Sequence, residues 1–352
     1  MFAAITAGCF IFCIGNGGAT LVIALSAALM FASPFFTSGR SSILPVIASK
    51  TELHTANSLT QTTQWTAVTL GAFLGGTSVV TAGYEIAFLF NAASFLFSAY
   101  CVSRLKEPPG GSFRAPRRDT ALTEAKVARP LHEYVEGLRY MGRTPLVFAI
   151  MLVGVGWASG GGAAQILFSL MAEKEFQRGA AGIGEIWGCA GLGLICGGAV
   201  ANTWGKRLSF NQYKGVISAA YVVHGGTYVL FSQLTNYPLA LLAIGISRFA
   251  VAISSVLNFS QLLRHVEDRY RGRVFATMET SVWAAMIFSM LAAGLASRSV
   301  SARTIGAISG VLSSTTAIFW AWANWAGKLP EPAEAGIEPE EVEVHGDPRA
   351  AG

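Results

Sequence analysis

Residues 182–207 read GIGEIWGCAGLGLICGGAVANTWGKR, a long apolar stretch that ends in two adjacent cations. Glu185 is the only charged residue before Lys206 and Arg207. A helix that crosses a hydrocarbon core of about 30 Å needs roughly 20 mostly apolar residues, and basic residues collect at the cytoplasmic ends of such helices. This stretch is therefore predicted to span a membrane, with Lys206 and Arg207 on its cytoplasmic side.

Nine further apolar runs divide the rest of the chain. Apolar residues make up 52% of the 352 residues and charged residues 13%, which is more apolar surface than a soluble core of ordinary size can bury. We expect an all-α polytopic membrane protein with about ten transmembrane helices. The ten runs are 2–15, 18–38, 61–80, 84–103, 145–172, 182–203, 213–233, 238–262, 275–297 and 304–326.

The positive charges between the runs fall almost entirely on alternate connectors. Of the 25 Lys and Arg, only Lys174, Arg178, Arg298 and Arg303 lie on the opposite connectors, and Arg248 lies inside a run. Cytoplasmic loops retain Lys and Arg, whereas translocated loops lose them. The pattern predicts a multi-pass protein of the plasma (inner) membrane whose long connector and C-terminus are cytoplasmic. The net charge of +5 then faces anionic lipid and does not indicate nucleic-acid binding.

The long connector separates two predicted helical bundles. Residues 1–104 would form an N-terminal bundle of four spans, and residues 145–326 a C-terminal bundle of six. The second half of the cytoplasmic linker 105–144 has apolar residues at helical spacing, which predicts an amphipathic helix on the membrane or the bundle, or one that binds a partner. Residues 327–352 are Pro- and Glu-rich and are predicted to be a disordered acidic tail.

The two halves repeat one order of features. Residues 44–76 and residues 262–294 each contain the end of a run, a charged loop and a new run rich in small residues. Duplicated halves that rock around a central site are typical of many secondary transporters. The repeat therefore favours a transporter with two bundles, although the first half has four runs where the second has six.

A loop motif resembles a known family. Gly198-x-x-x-Asn202-x-x-Gly205-Lys206-Arg207 is similar to the second-half G-x-x-x-D-x-x-G-R-R loop of the major facilitator superfamily, with Asn202 where the family has Asp. Within the superfamily the chain resembles the branch of siderophore- and macrolide-exporter-like permeases. The resemblance implies a major-facilitator-type architecture of two bundles around a central cavity.

Residues 71–76 carry a second resemblance. They read GAFLGG and are similar to the G-P-x-x-G-G antiporter motif of the fifth family helix, with Ala72 in place of Pro. By this alignment the run 2–15 corresponds to the third family helix. Family helices one and two, with the first copy of the loop motif, would then lie before Met1.

The resemblance implies that Lys206 and Arg207 form a gate that closes the cytoplasmic side against a carboxylate or a helix C-terminus. On charge alone they are ordinary cytoplasmic anchors. Glycines four residues apart allow close helix contact, and such faces either pack statically or slide and seal in a moving transporter. The glycine pairs are Gly71/Gly75, Gly156/Gly160, Gly184/Gly188 and Gly193/Gly197. The candidate gating residues are Gly198, Asn202, Gly205, Lys206, Arg207, Gly71, Gly75 and Gly76.

Polar and aromatic residues inside the runs are candidates for the wall of a substrate cavity. Arg248 lies near mid-membrane, where a charge is costly, and it would contact an anionic or polar substrate or form a structural ion pair. His224 would be a neutral, hydrogen-bonded core histidine or a proton carrier. The other candidates, on runs that line the family's central cavity, are Trp157, Gln165, Asn258 and Trp283.

Two carboxylates near run ends are candidates for an ion pair or for proton coupling. Glu279 follows Arg273 by six residues and is expected to pair with the arginines of that loop. Glu185 lies at the outer end of its run, where water is expected to reach it. Protons are the candidate coupling ion because many exporters of the superfamily use them.

The function expected from these features is secondary-active export of small bulky organic molecules, drug- or siderophore-like, by alternating access across the lipid bilayer. The alternative is a non-transporting remnant or a membrane interaction protein that needs a partner to complete the bundle. The sequence shows no HExxH, no phosphate-binding glycine loop and no nucleophile paired with a base. No enzyme activity, metal or cofactor is expected.

Overall fold

The computed structural model describes residues 5–6, 8–11, 18, 20–31, 53–104 and 130–332, and their regular structure is helical. A π-helical turn spans Met171–Glu175, and a 3₁₀ turn spans Gly205–Arg207. The helices are α1 (Thr20–Phe31), α2 (Leu53–Ser103), α3 (Pro130–Arg143), α4 (Pro145–Gly161), α5 (Ala164–Leu170), α6 (Gly179–Trp204), α7 (Phe210–Gln233), α8 (Tyr237–His265), α9 (Asp268–Ala296) and α10 (Ala302–Trp325).

Seven helical segments in the described ranges are long and apolar enough to cross a membrane. The six runs predicted for the second half coincide with six of these segments, so the all-α polytopic prediction is confirmed. Runs 2–15 and 18–38 lie partly outside the described residues. The segments are Leu74–Ser103, Pro145–Glu175, Gly179–Arg207, Phe210–Gln233, Tyr237–His265, Tyr270–Ala296 and Ala302–Trp325.

Helix α2 contains the two predicted runs 61–80 and 84–103. Its helical geometry is interrupted at Gly83, which has φ 82° and ψ 169°. Glycine adopts a positive φ readily because it has no Cβ. The interruption falls in the gap predicted between the two runs, and the helix begins at Leu53, ahead of the first of them.

In the second half, short connectors join successive helices, and several of these helices have a side-chain cap at the N-terminus. Gln212 N donates to Ser209 Oγ at 3.3 Å, and Ser209 N donates to Gln212 Oε1 at 2.9 Å, which forms a capping box at the start of α7. The side-chain oxygens of Asn236 and Ser301 cap α8 and α10 in a similar way. Each cap satisfies an N–H that the first helical turn leaves unpaired. We call the end of the bundle that holds Lys206 the inner end, and the opposite end the outer end.

The core of the six-helix bundle has an inner and an outer cluster of buried side chains. Tyr213 and Trp320 are among the largest side chains of the inner cluster, and Phe168, Tyr228 and Phe231 belong to the outer one. Between helices in lipid, van der Waals packing and interhelical hydrogen bonds stabilise the contact because lipid is as apolar as the side chains. Helix α8, which packs on both α6 and α7, is central to both clusters.

Two of the predicted glycine pairs lie at close helix crossings. A Cβ on Gly160 would lie 2.8 Å from Ser313 Cβ of α10, and Gly156 faces the same helix. A Cβ on Gly193 or Gly197 would lie within 3.0 Å of the α8 backbone. These pairs therefore pack their helices backbone to backbone, as predicted. At Gly71 and Gly75, by contrast, a Cβ would meet nothing within 4 Å.

The linker and the tail differ from expectation in detail. Residues 105–129 and 333–352 lie outside the described residues. Helix α3 packs on α9, where a Cβ on Gly137 would lie 3.0 Å from Arg273 O. The tail predicted to be disordered from residue 327 begins with a packed segment, because Leu329 is buried and its carbonyl oxygen accepts from Lys214 Nζ at 3.1 Å. The buried Lys214 ammonium needs such an acceptor.

Candidate functional site

The two halves of the chain meet at the outer end of α6. A Cβ on Gly76 of α2 would lie 2.7 Å from Gly184 Cα and 2.8 Å from Ala180 O of α6. No side chain fits between α2 and α6 at this separation. The two backbones can therefore touch only because positions 76 and 184 are both glycine. We call this contact the outer seam. It brings together one candidate gating residue, Gly76, and one glycine of a predicted packing pair, Gly184.

A carboxylate lies next to the outer seam. Tyr237 Oη donates to Glu185 Oε2 at 2.5 Å and lies 3.4 Å from Gly182 O. The guanidinium carbon of Arg178 lies 4.7 Å from the centroid of the Tyr237 ring. Glu185 is half-buried, and its expected contact with water stays a prediction. The Tyr237 hydroxyl takes the place of water on one carboxylate oxygen.

The outer end also contains a contact that the sequence did not suggest. Arg303 Nε lies 2.7 Å from Glu175 Oε2, and Arg303 Nη1 donates to Gln233 O at 2.8 Å and Leu234 O at 3.1 Å. These groups come from three separate segments of the chain. Arg303 was visible in the sequence as one of the few outer cations, and that was the only signal for its role.

The candidate inner gate lies on the surface of the second half. Lys206 and Arg207 are exposed, as is Asn202, and neither cation forms an ion pair with a residue that the structure describes. Gly205 lies against Leu257 of α8, whose Cδ2 would be 2.6 Å from an added Cβ, whereas nothing lies within 4 Å of one at Gly198. A groove of about 470 Å³ lies beside the cations and is lined by Trp204, Arg207, Leu208, Gln212, Gly215, Val216 and Ala219.

Helix α3 is tied to the inner end of α9. Arg273 Nη1 lies 3.0 Å from Glu136 Oε2, and His132 Nε2 lies 3.7 Å from the other oxygen of the same carboxylate. Arg273 pairs with Glu136, while Glu279 is exposed and forms no ion pair with a described residue, so the expected pairing of Glu279 with the arginines of that loop is not seen here. Tyr134 and Ser281 add a hydroxyl contact of 3.2 Å between the two helices.

Arg248 and His224 lie together in the bundle core. The Arg248 guanidinium carbon is 5.5 Å from the Phe168 ring centroid and 5.7 Å from that of Tyr228. His224 Nδ1 lies 2.7 Å from Ser247 Oγ, and the His224 and Tyr228 ring centroids are 5.9 Å apart. The structural ion pair considered for Arg248 is not formed with any described residue. Its surroundings are aromatic.

The other cavity candidates are dispersed. Asn258 is buried in the inner cluster, where Tyr213 Oη donates to its Oδ1 at 2.7 Å. Trp157 is half-buried, and its enclosed Nε1 has no hydrogen-bond partner in the described ranges. Gln165 is exposed on α5, and Trp283 is exposed on α9. The structure therefore separates Arg248, His224 and Asn258, inside the bundle, from Gln165 and Trp283 on its surface.

The chain is similar in sequence to known membrane proteins. The family model of the Major Facilitator Superfamily matches residues 1–282. The putative bacilysin exporter BacE of Bacillus amyloliquefaciens is 22% identical over 259 residues, which cover 72% of this chain and 61% of that protein. The protein of the same description from Bacillus subtilis (strain 168) is 21% identical over 248 residues, 70% of this chain and 58% of that protein. The chain thus spans about three fifths of the length of these curated relatives.

Solved structures share the fold. A bacterial homolog of the human lysosomal transporter Spinster, inward-facing and unoccupied, has a TM-score of 0.54 and 15% identity, covering 92% of this chain and 79% of that one. Its inward-facing, occupied form has a TM-score of 0.56 and 12% identity over the same shares of both chains. At these identities the likeness shows the architecture of the helices.

Proposed function

This chain belongs to the major facilitator superfamily, and from that premise we propose that it is a secondary-active transporter that exports small, bulky, drug- or siderophore-like molecules by alternating access. Its place is the inner membrane, with α3 and the C-terminus in the cytoplasm, as the distribution of Lys and Arg indicates. The contact that carries the proposal is the outer seam between Gly76 and Gly184.

The outer seam supports a transporter because it joins the two halves of the chain near the outer end of α6. In alternating access, two bundles close on one side of the substrate site while they part on the other. Here the halves touch at the outer end, while Lys206 and Arg207 at the inner end are exposed and without ion pairs to described residues. That combination is expected of an inward-facing state.

The inner gate would close in the opposite state. Lys206 and Arg207 follow α6, the helix that forms the outer seam, so a rocking motion that opens Gly76 from Gly184 moves the two cations toward the first bundle. There they would meet a carboxylate or the partial negative charge of a helix C-terminus. The exposure of both side chains in this structure leaves them free to make that contact.

The substrate wall would use exposed side chains rather than the bundle core. Gln165 and Trp283 are exposed, and their segments cross where a Cβ on Gly162 would lie 2.8 Å from Ser289 Cβ of α9. An aromatic surface with a few polar groups suits bulky, partly apolar ligands. Glu279 is exposed on the same helix as Trp283, one helical turn earlier, and would give that wall its negative charge.

Export is tested in everted membrane vesicles from a bacterial strain that lacks its own drug exporters. The vesicles are energised by respiration and offered ethidium and Hoechst 33342 as bulky fluorescent probes, together with a ferric hydroxamate siderophore. The expected result is accumulation of at least one probe above that of vesicles with the empty vector, lost when a protonophore is added. Vesicles that contain the folded protein and accumulate none of the three would contradict the proposal.

A further inference from the structure

Arg248 is a buried cation that has no counter-ion within the described part of the chain. Its side chain is 6% exposed, and it forms no ion pair or hydrogen bond with any residue that the structure describes. A guanidinium keeps its proton in proteins. In the middle of a membrane helix bundle, an unpaired charge of this kind costs several kcal/mol. The protein must therefore offset the charge in some other way.

Aromatic rings offset part of that cost. The faces of Phe168 and Tyr228 lie 5.5 Å and 5.7 Å from the Arg248 guanidinium carbon. A desolvated cation–π contact is favourable, but it offsets only part of the cost of burying the charge. The aromatic rings carry no net charge, so the neighbourhood keeps an excess of positive charge.

The polar atoms beside Arg248 are also incomplete. Tyr228 Oη and His224 Nε2 are buried and have no hydrogen-bond partner among the residues that the structure describes. Ser247 Oγ donates its one hydrogen to His224 O at 3.2 Å. It therefore accepts a hydrogen bond from the N–H at His224 Nδ1, 2.7 Å away. The neutral ring then keeps a free lone pair at Nε2. Buried polar atoms of this kind are normally hydrogen-bonded, so this hydroxyl and this ring nitrogen are available to a bound water molecule or ion. The Tyr228 hydroxyl and the guanidinium can both donate to a single anion, and a water molecule bound with that anion can donate to Nε2.

We propose that Arg248 and Tyr228 bind a small monovalent anion in the core of the six-helix bundle, either a halide from solution or the carboxylate of an organic molecule. The exposed 6% of Arg248 shows that a water-sized probe reaches part of the side chain, whereas Tyr228 and His224 are 1% exposed. Chloride and a carboxylate group are both small acceptors of N–H and O–H donors, which is why we consider these two anions. The binding does not depend on transport, so the proposal stands or falls separately from the function proposed above.

The test measures thermal unfolding of the purified chain in detergent micelles. Sodium chloride and sodium acetate are titrated at constant ionic strength against sodium methanesulfonate. A ligand that binds only the folded state raises the unfolding midpoint in a saturable way, here by about 3 °C or more at a hundredfold excess over Kd. Arg248→Met should abolish this rise, whereas Arg298→Met, which removes an exposed arginine, should retain it.

Each outcome has a distinct meaning. A saturable rise with chloride identifies a halide site, and a rise with acetate alone identifies a site for an organic carboxylate. No saturable rise with either salt, or the same rise in Arg248→Met, overturns the proposal, because general salt effects do not depend on one buried side chain.

A second measurement does not require the Arg248 variant to fold. The Trp187 ring lies 4.8 Å from the Phe168 ring that faces Arg248. Its fluorescence, taken as the difference between the wild type and Trp187→Phe, is titrated with iodide. Saturable quenching that chloride or acetate displaces supports the site. Quenching that rises linearly with iodide and is not displaced contradicts it.

Discussion

Arg303 Nε lies 2.7 Å from Glu175 Oε2, and through this contact the start of α10 is tied to the π-helical turn after α5. The Nη1 of the same guanidinium donates to the carbonyl oxygens of Gln233 and Leu234 at the end of α7. Carbonyl groups at a helix C-terminus carry a partial negative charge and lack partners within the helix. One arginine therefore joins three segments at the outer end, which explains a cation on the side that otherwise has few.

Replacing Arg303 should destabilise the bundle. Both partners are about three-quarters buried, with side-chain exposures of 25% and 23%. Hydrogen bonds to a charged group contribute about 1.5–3 kcal/mol, and their loss leaves the Glu175 carboxylate and two carbonyl groups unpaired. We expect Arg303→Met to lower the free energy of unfolding by about 2–3 kcal/mol, measured by reversible denaturation in mixed micelles. Arg298→Met is the matched control, and equal effects of the two changes would show that Arg303 contributes only its charge.

A methyl group at Gly76 should prevent closure of the outer seam. The Cβ of Gly76→Ala would lie 2.7 Å from Gly184 Cα and 2.8 Å from Ala180 O, which are backbone atoms that cannot rotate away. Overpacking of this kind costs about 1–3 kcal/mol. The population of the state in which the outer seam is closed should therefore fall about tenfold. Export measured in everted vesicles should fall with it.

Gly75→Ala is the control for the seam, because a Cβ at Gly75 meets nothing within 4 Å. This variant should export at the wild-type rate. Equal losses in the two variants would mean that helix propensity or α2 itself, rather than the contact with α6, determines the effect.

Charge reversal at the inner gate should abolish export without loss of folded protein. Lys206 and Arg207 are exposed in this structure, so Lys206→Glu with Arg207→Glu costs little stability in the state described here. The state in which the cations meet negative groups of the first bundle would instead experience repulsion. We expect transport to fall to background at unchanged expression. Retained transport would leave the two residues with an anchoring role alone.

The pair between Glu136 and Arg273 should contribute little to stability. The two side chains are 33% and 38% exposed, and ion pairs of such exposure contribute about 0.2–1 kcal/mol. A double-mutant cycle with Glu136→Gln and Arg273→Gln should therefore give a coupling free energy below about 1 kcal/mol, falling further at high salt. A coupling above that limit would show that α3 has a stronger hold on α9 than the exposed pair provides.

The sequence predicted the spans because their signal is local. Length, apolarity and flanking cations are properties of each run on its own, and the break at Gly83 lies where the run of apolar residues pauses. The close glycine crossings of α4 and α6 followed from spacing along one helix. Partners across helices did not follow, because they depend on how the helices rotate against each other. Glu136 was thus overlooked as the partner of Arg273, and Glu279 was considered for the arginines of that loop only because it follows them closely in the chain.

The buried polar residues show the same limit in another form. Arg248 and His224 were recognised as unusual because a charge or an imidazole inside an apolar run is rare. Their common position beside Phe168 and Tyr228 requires α5, α7 and α8 to converge, which no single run reveals. Whether a polar residue faces a cavity or the bundle interior changes with a rotation of about 100° per residue. The sequence therefore did not settle which face Asn258 presents, and the structure buries it in the inner cluster.

Asn258 should therefore affect stability rather than substrate handling. Tyr213 Oη donates to Asn258 Oδ1 at 2.7 Å inside the inner cluster, and both side chains are buried. Asn258→Ala leaves the tyrosine hydroxyl without a partner, which costs about 1–3 kcal/mol. Removing that hydroxyl as well, with Tyr213→Phe, should recover part of the loss, so the double variant should be more stable than the two single losses predict. The free energy of unfolding of all four proteins in mixed micelles measures this directly. Additive losses of unfolding free energy would contradict this prediction. A changed substrate profile at wild-type stability would instead indicate that Asn258 contacts the substrate.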